Sequence, residues 1–577
     1  MTRLKGRAQV SIVLMVVFAL LIIVYHMLSS EVEDASSAKL RPYAKLQEDD
    51  GYHTDNPRSP QSQKLEVQRS KSRGRGIGEF DNSDVDQGSY QRNSLYKGHK
   101  VVHLDLKGAP PLVSYYKYLF PMLKKLGATG ILLEYEDMFP FKGDLADVSA
   151  GNCYSKQDVM TIQDLAKEND LFIIPLIQTF GHMEFILKLK KYIEYREVQR
   201  YPQVVCPTYN KTLPLIYNVV DQVVAMHPKI RYLHIGSDEV YQLGECNRCL
   251  ETMAKKQWSR RQLFLNHVRT VASYVKSKYP RVKILTWDDE FRDIEPQEII
   301  DQGLNELVEP VVWKYTTDPI SSLPDQLWDN YASVWSSVWV ATAFKGATAP
   351  DRYYTDIAHH MENHQRWLEI IARHSDRIHF RGVMLTGWQR YDHFGVLCEL
   401  LPAALPSLAV NLAVLQAPDY ASFTADVPRR VTEALGCEGT ITLSLPEPQY
   451  GWTKCTYLGA SVYSAALRLH ALCQEIARME QDSTFRGWLK PYNLRHGFSS
   501  PSHVERALAE LDRYKMELVY IEKEMRNAIA EGVYGNYTVL EWLETYLEPV
   551  NEKVMALWSA RERILERDSW PRRPLEF

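Results

Sequence analysis

Between residues 99 and 415 the chain repeats one pattern eight times: a short apolar, β-rich run followed by an amphipathic stretch of helical period. The runs are VVHLDL (101–106), GILLEYE (130–136), LFIIPLIQT (171–179), IRYLHIGSDE (230–239), KILTWDD (283–289), LVEPVVWKY (307–315), SVWSSVWVA (333–341) and GVMLTGWQR (382–390). Strands joined through helices run parallel, because each crossover returns the chain to the end it started from. Eight parallel βα units close most simply into a (β/α)8 TIM barrel of the α/β class, with its chemistry at the carboxyl ends of the strands. The intervening helices are legible too. Ser155 and Asp158 form a capping-box pattern ahead of Val159, Ile162, Leu165 and Ala166. Leu112, Tyr116, Leu119 and Leu123 share one face after the first run, with Pro121 expected to kink that helix.

Polar and aromatic residues gather where these strands end. Asp105 closes the first run, Glu134 and Glu136 the second, Gln178 and nearby His182 the third, Asp238 and Glu239 the fourth. Trp287 with Asp288, Trp313 with Tyr315, Trp339, and Trp388 close the remaining four. A cup of carboxylates and indole faces suits a sugar better than a phosphate, since no glycine-rich cradle or Arg/Lys cluster accompanies it. Lys and Arg number 68 against 72 Asp and Glu, a net charge of -4 with no long basic tract, which argues against a nucleic-acid partner.

Glycosidic cleavage needs an acid to protonate the leaving oxygen and a second group to stabilise positive charge at the anomeric carbon. The adjacent acids in HIGSDEVY can supply both, but neighbours on a regular strand point to opposite faces. Asp238 and Glu239 can both face the cup only if the strand gives way to loop at that point.

The ordered segments VVHLDLKGAPP, ILLEYEDMFPF, LIQTFGHMEF, LHIGSDEVY, LTWDDEFRD, AFKGAT and LTGWQRYDHFGVLCELLP together resemble the glycoside hydrolase family 20 β-N-acetylhexosaminidases over about 100–415. The resemblance implies a (β/α)8 barrel and retaining hydrolysis of terminal β-linked GalNAc or GlcNAc without metal or cofactor, the nucleophile being the substrate's own acetamido oxygen. It assigns Glu239 as general acid and Asp238 as the group holding the acetamido N–H. Trp287, Trp313 and Trp388 correspond to the indoles around the acetamido methyl and sugar ring, and His182 to a histidine beside the acids. Two departures stand out. Where many members carry an Arg for the C3 and C4 hydroxyls, this chain offers Asp105 and Lys107; where many carry Trp-x-Glu, it has Trp388, Gln389 and, further on, Asp392. The Asp-x-Tyr signature of the acetamide-binding Tyr is not evident, and Tyr315 is the substitute. Glu134 and Trp339 complete the expected substrate-binding set.

Outside the barrel, Val10–Leu28 has no full charge and follows Arg3, Lys5 and Arg7. It is long enough to span a bilayer, and the basic flank places residues 1–9 in the cytoplasm. The expectation is a single-pass type II protein: anchor 10–28, disordered stem 29–98, barrel 99–415 and helical region 416–577, the last two lumenal (Golgi or secretory pathway) or extracellular. A cleaved signal peptide would deliver a soluble protein to the same compartment. Sequons at Asn210 and Asn536 would be glycosylated in that topology. Cys246 and Cys249 form a lone CxxC with no second pair nearby, so a local disulfide or two plain thiols is expected rather than zinc. Val504, Leu508, Leu511, Lys515 and Leu518, then Trp542, Leu543, Tyr546, Leu547 and Val550, predict packed helices that dock on the barrel, with a homodimer contact as the alternative. Two rival functions remain at this stage. One is a metal-dependent hydrolase built on His103, His182, His234 and Asp238; the other is an inactive membrane-tethered lectin.

Overall fold

The structure, a computed structural model, describes residues 96–575 except 440, 442 and 444–449. The predicted anchor, and all of the stem before residue 96, lie outside the described residues, among which no helix is long and apolar enough to cross a membrane. Ten strands are seen: β1 His99–Asp105, β2 Gly130–Glu134, β3 Phe172–Leu176, β4 Arg196–Val198, β5 Tyr201–Val205, β6 Tyr232–His234, β7 Lys283–Trp287, β8 Val308–Trp313, β9 Ser337–Lys345 and β10 His379–Gly387. Eight of them close into an all-parallel barrel in the order β1-β10-β9-β8-β7-β6-β3-β2. The other two, β4 and β5, form an antiparallel hairpin inside the insertion that follows β3, a feature the strand pattern does not reveal.

Each expected run contains a strand, and the seventh is displaced. Val334 ends the helix Asp325–Val334, so β9 starts only at Ser337 and continues to Lys345. The barrel interior holds Val101, Leu132, Ile174, Leu176, Leu285, Val311, Ala341 and Met384 with Tyr232, Trp287 and Trp339. Outside it, Tyr116, Leu119 and Leu123 are fully buried on the helix Val113–Lys125, which contains Pro121. Ser155 and Asp158 complete a reciprocal capping box on Lys156–Glu168.

The helix Leu401–Gln416 is buried on every side because barrel and carboxyl-terminal helices cover it together, which is why its sequence lacks a polar face. Beyond it the helices Ala460–Gln481, Leu511–Ala530 and Glu548–Leu565 pack on one another. The expected 504–518 repeat is broken: Pro501–Ala507 and Leu511–Ala530 are separate helices, and Tyr514 rather than Lys515 is buried. These helices dock on the barrel. Leu112 N–H donates to the Val533 carbonyl at 2.9 Å, Leu401 N–H to the Tyr534 hydroxyl at 3.1 Å, and Arg390 Nη2 to Glu541 Oε2 at 2.6 Å.

Glu399 ties the two last strands' loops together, its Oε2 accepting Gly346 N–H at 2.7 Å. Burial pushes this carboxyl from 4.5 up to about 7, against the opposing charge of Lys345 and the N–H bonds. Its share of stability is present below about pH 4.5 and is lost as pH rises through about 7, because the folded protein keeps a proton the unfolded chain has released. Glu399→Gln removes that titration. Its thermal midpoint should fall less than wild type's between about pH 4.5 and 7.5; parallel curves would show that Glu399 is already charged throughout.

Candidate active site

The acid pair depends on how β6 ends. The strand stops at His234, and Gly236, Ser237 and Glu239 then take left-handed backbone (φ 64°, 73° and 46°). For Ser237 and Glu239 that conformation is costly and persists only where the surroundings impose it. The turn cancels strand alternation, so Asp238 and Glu239 face the same histidine. His182 Nε2 lies 3.1 Å from Glu239 Oε2 and 3.5 Å from Asp238 Oδ2. His182 itself has φ 50° and follows Gly181, where a Cβ would sit 2.0 Å from the Asp238 carbonyl oxygen. Only glycine lets the two loops approach this closely.

A second set of residues, in the segment that follows β7, fixes the loop. Asp289 Oδ2 accepts the Glu239 N–H at 2.8 Å and Glu290 Oε1 accepts the Val240 N–H at 2.9 Å. Asp288, fully buried, binds Arg292 through both oxygens at 2.6 and 2.8 Å, the Tyr331 hydroxyl at 2.9 Å and the Trp313 N–H at 3.2 Å. Asp289 and Glu290 were not singled out in the sequence, although they directly follow Asp288.

The electrostatics separate the two acids. Burial, then the charges of Asp289 and Glu239, push Asp238 well above the carboxylate range despite His182. Burial also pushes Glu239 up, but the His182 hydrogen bond and charge outweigh it and hold this carboxyl low. For His182 burial opposes protonation, and Asp238, Glu239 and Glu184 overcome it to raise the imidazole well above its ordinary value.

Indoles stand at the ends of β7 and β8 and just past β10. Trp287 is buried against His234 (4.4 Å between centroids) and Trp388 (5.8 Å), and its Nε1 has no hydrogen-bond partner. Trp313 is half-buried; its Nε1 donates to Asp289 Oδ1 at 3.2 Å and its ring stacks on Tyr315 at 5.2 Å. Burial raises the Tyr315 phenol, and the charges of Asp238 and Glu239 add to that rise, so this hydroxyl lies within the field of the acids. Trp388 is half-buried with the Lys107 ammonium 5.4 Å from its ring. Beside it, Gln389 Nε2 is a buried donor without a partner.

Four expected sugar contacts are placed otherwise. Trp339 is the third residue of a strand that starts at Ser337, so it lies at the amino-terminal mouth. There it stacks on His99 at 5.8 Å, and its Nε1 donates to Glu309 at 2.9 Å. Reading it as a strand-ending residue came from starting β9 too early. Asp105 and Glu134 have no exposed side-chain surface. Asp105 Oδ2 accepts Gln389 N–H at 2.7 Å. Glu134 Oε2 pairs with His103 at 3.0 Å. Lys107 Nζ lies between Asp105, Glu134 and Glu136 at 3.2, 3.4 and 3.4 Å, so these acids serve to hold the lysine. Asp392 Oδ1 accepts the N–H groups of Phe394 and Gly395, both at 2.7 Å, which makes it a turn-forming residue.

The four groups of the metal-hydrolase rival do not form one ligand set: His103 is paired with Glu134, His234 Nδ1 accepts Gly236 N–H at 3.0 Å, and His182 is held by the acids. Cys246 and Cys249 are both free thiols, not a local disulfide, and Cys206 joins them. A disulfide links Cys437 and Cys455. Asn210 and Asn536 are exposed.

A parallel barrel with paired acids, a bridging imidazole and indoles at its carboxyl end is the architecture of a glycoside hydrolase. Residues 115–390 match the model of the glycosyl hydrolase family 20 catalytic domain. Hexosaminidase D of Homo sapiens is 38% identical over 462 residues, 79% of this chain and 93% of that protein. Hexosaminidase D of Bos taurus is 45% identical over 339 residues, 58% of this chain and 96% of that protein. A chitobiase structure from Flavobacterium johnsoniae aligns with TM-score 0.45 and 15% identity, over 81% of this chain and 72% of that one. The chain belongs to glycosyl hydrolase family 20, and it is a β-N-acetylhexosaminidase.

Gly181→Ala tests the loop approach on which the acid pair depends. It should lower kcat by about 10² with far-UV circular dichroism unchanged, since displacing catalytic groups by about 1 Å has that cost. Wild-type kcat would show that the two loops have room to part.

Proposed function

We propose that the protein removes terminal β-linked GalNAc or GlcNAc with retention, the substrate's 2-acetamido oxygen acting as nucleophile. The observation carrying this reading is the single His182 nitrogen facing both adjacent acids. Glu239, with 27% of its side chain exposed, occupies the open side where a leaving group departs; Asp238, at 9%, lies deeper, where the acetamido group would lodge. In this scheme Glu239 protonates the glycosidic oxygen as the acetamido oxygen attacks the anomeric carbon, and the bond to the aglycone breaks. Asp238 accepts the amide N–H and offsets the charge of the resulting oxazolinium. Water then attacks the same carbon, losing its proton to Glu239, and the second inversion restores the configuration. No cofactor enters these steps.

In the ligand-free protein burial favours the neutral form of Asp238 and the His182 contact favours the charged form of Glu239, and substrate binding works against both. An acetamido N–H donating to Asp238 favours its charged form, while an aglycone that displaces water disfavours charge on Glu239. Both effects favour a proton on Glu239, and His182 Nε2 borders an oxygen of each acid. Trp287, Trp313 and Trp388 enclose the acetamido methyl and the ring, and Tyr315 offers its hydroxyl to the acetamide. Its substrates are glycans or glycoconjugates ending in an N-acetylhexosamine.

We also propose that residues 10–28 anchor the protein with its catalytic unit lumenal or extracellular. The Cys437–Cys455 disulfide and the exposure of Asn210 and Asn536 support this topology.

Glu239→Gln should lower turnover of an aryl N-acetylhexosaminide by about 10² to 10⁴ while substrate still binds, and by less when the leaving group is very good. Near-normal rates would place the acid elsewhere, and glycan binding without turnover by the wild type would favour the lectin. Protein made in animal cells should gain gel mobility on enzymatic removal of N-glycans. An unchanged band, with protease access from the cytosol, would overturn the topology.

A further inference from the structure

Away from the acid pair, the insertion after β3 and the chain after β6 meet in a second cluster. Glu197 of β4, Cys206 just past β5, and Cys246 and Cys249 at the start of the helix Asn247–Lys256 place one ligand atom each within 4.8 Å of the others. Cys206 and Cys249 are fully buried and Glu197 is 2% exposed. Cys206 Sγ is 3.4 Å from Cys246 Sγ and 3.6 Å from Cys249 Sγ, and Glu197 Oε2 is 3.1 Å from Cys249 Sγ. These sulfurs are too far apart for a disulfide. Two thiolates on one tetrahedral zinc, each about 2.3 Å from the metal, stand about 3.8 Å apart, close to the spacing seen.

The surroundings are those of a site built for a cation. Glu197 Oε1 accepts the N–H groups of Glu245 and Cys246 at 2.8 and 3.1 Å, which aims Oε2 at the sulfurs. Arg248 stands beside the cluster, its side chain hydrogen-bonded to Cys206 and Cys246. Cys249 N–H donates to Cys246 Sγ at 3.4 Å, so the first turn of the helix favours thiolate there. Thr208 Oγ1 contacts Cys206 and Cys249 at 3.4 and 3.1 Å. Three thiols and a carboxylate converge here, Cys246 half-buried at their edge, and three sulfurs with one oxygen are a donor set suited to a soft divalent ion.

We propose that Glu197, Cys206, Cys246 and Cys249 bind one Zn²⁺ in a closed, structural site. Four protein ligands leave no open position, so the ion takes no part in the hydrolysis. On binding, each coordinating thiol loses its proton to solvent and the four ligand atoms donate to the metal. The effect is mechanical: the zinc fastens the β4–β5 hairpin to the segment that begins with the acid pair, seven residues before Cys246. The CxxC is thus half of a ligand set whose other half lies about 40 residues upstream, which is why it looks solitary in the sequence.

The test is the zinc content of the full-length protein made in animal cells, extracted in detergent and passed over chelating resin, by plasma mass spectrometry. About one zinc per chain is expected, released stoichiometrically to a chromophoric chelator on titration with an organomercurial. Refolding with Co²⁺ should give thiolate-to-cobalt charge-transfer absorption with tetrahedral d–d bands. Cys206→Ser should lose the metal and lower the thermal midpoint. Should that variant not fold, the wild-type stoichiometry and cobalt spectrum decide alone. Zinc below about 0.1 per chain after incubation with Zn²⁺, or peptide mapping that finds any two of the three cysteines joined as a disulfide, overturns the proposal. Either result leaves the reading of Asp238 and Glu239 intact, because that rests on the Glu239→Gln kinetics.

Discussion

One imidazole nitrogen set between two neighbouring carboxyl groups is the contact around which this molecule is arranged. It requires β6 to end at His234, the next residues to accept left-handed backbone, and the loop bearing His182 to arrive with no side chain at Gly181. Each requirement is a local cost. The barrel meets these costs by surrounding the loop with acceptors for its N–H groups, of which Asp289 and Glu290 are the ones that touch it. Concentrating strained residues at the acid pair is what a pre-positioned site demands, since geometry formed before substrate arrives need not be organised during the reaction.

Beneath the acids lies a second network with a different purpose. Lys107 is enclosed by Asp105, Glu134 and Glu136, and Glu134 is held charged because Lys107 and His103 outweigh the burial that opposes it. A buried ion pair contributes little net stability but is costly to break, so its value is in fixing position. Through the Gln389 N–H and the Lys107 carbonyl, which accepts from Arg390, the network sets the segment after β10 against that after β1. Trp388 sits on this seam.

Much of this could be read from the sequence, and the misreadings have physical causes. The eight strands were legible because parallel strands covered on both faces are near-continuous apolar runs. The break after β6 was legible because adjacent acids could not otherwise share a face. Trp339 was misplaced because Val334 and Trp335, which finish a helix, are as apolar as the strand that follows. Asp105 and Glu134 do stand at strand ends, but end position says nothing of which ion a carboxylate will meet, and here Lys107 claims both. The hairpin escaped notice because β4 has three residues, too few for alternation to register. With it went the partners of Cys246 and Cys249, since proximity across an irregular insertion leaves no periodic trace.

The ion pair between Arg390 and Glu541 carries a consequence for biosynthesis. As the chain leaves the ribosome, all eight barrel strands are available long before the helix Asn536–Trp542 is made, yet the guanidinium that steadies the last strand's loop finds its carboxylate only there. This brace on the rim therefore forms only after Glu541 has been made. A chain cut short before Glu541 would lack this brace.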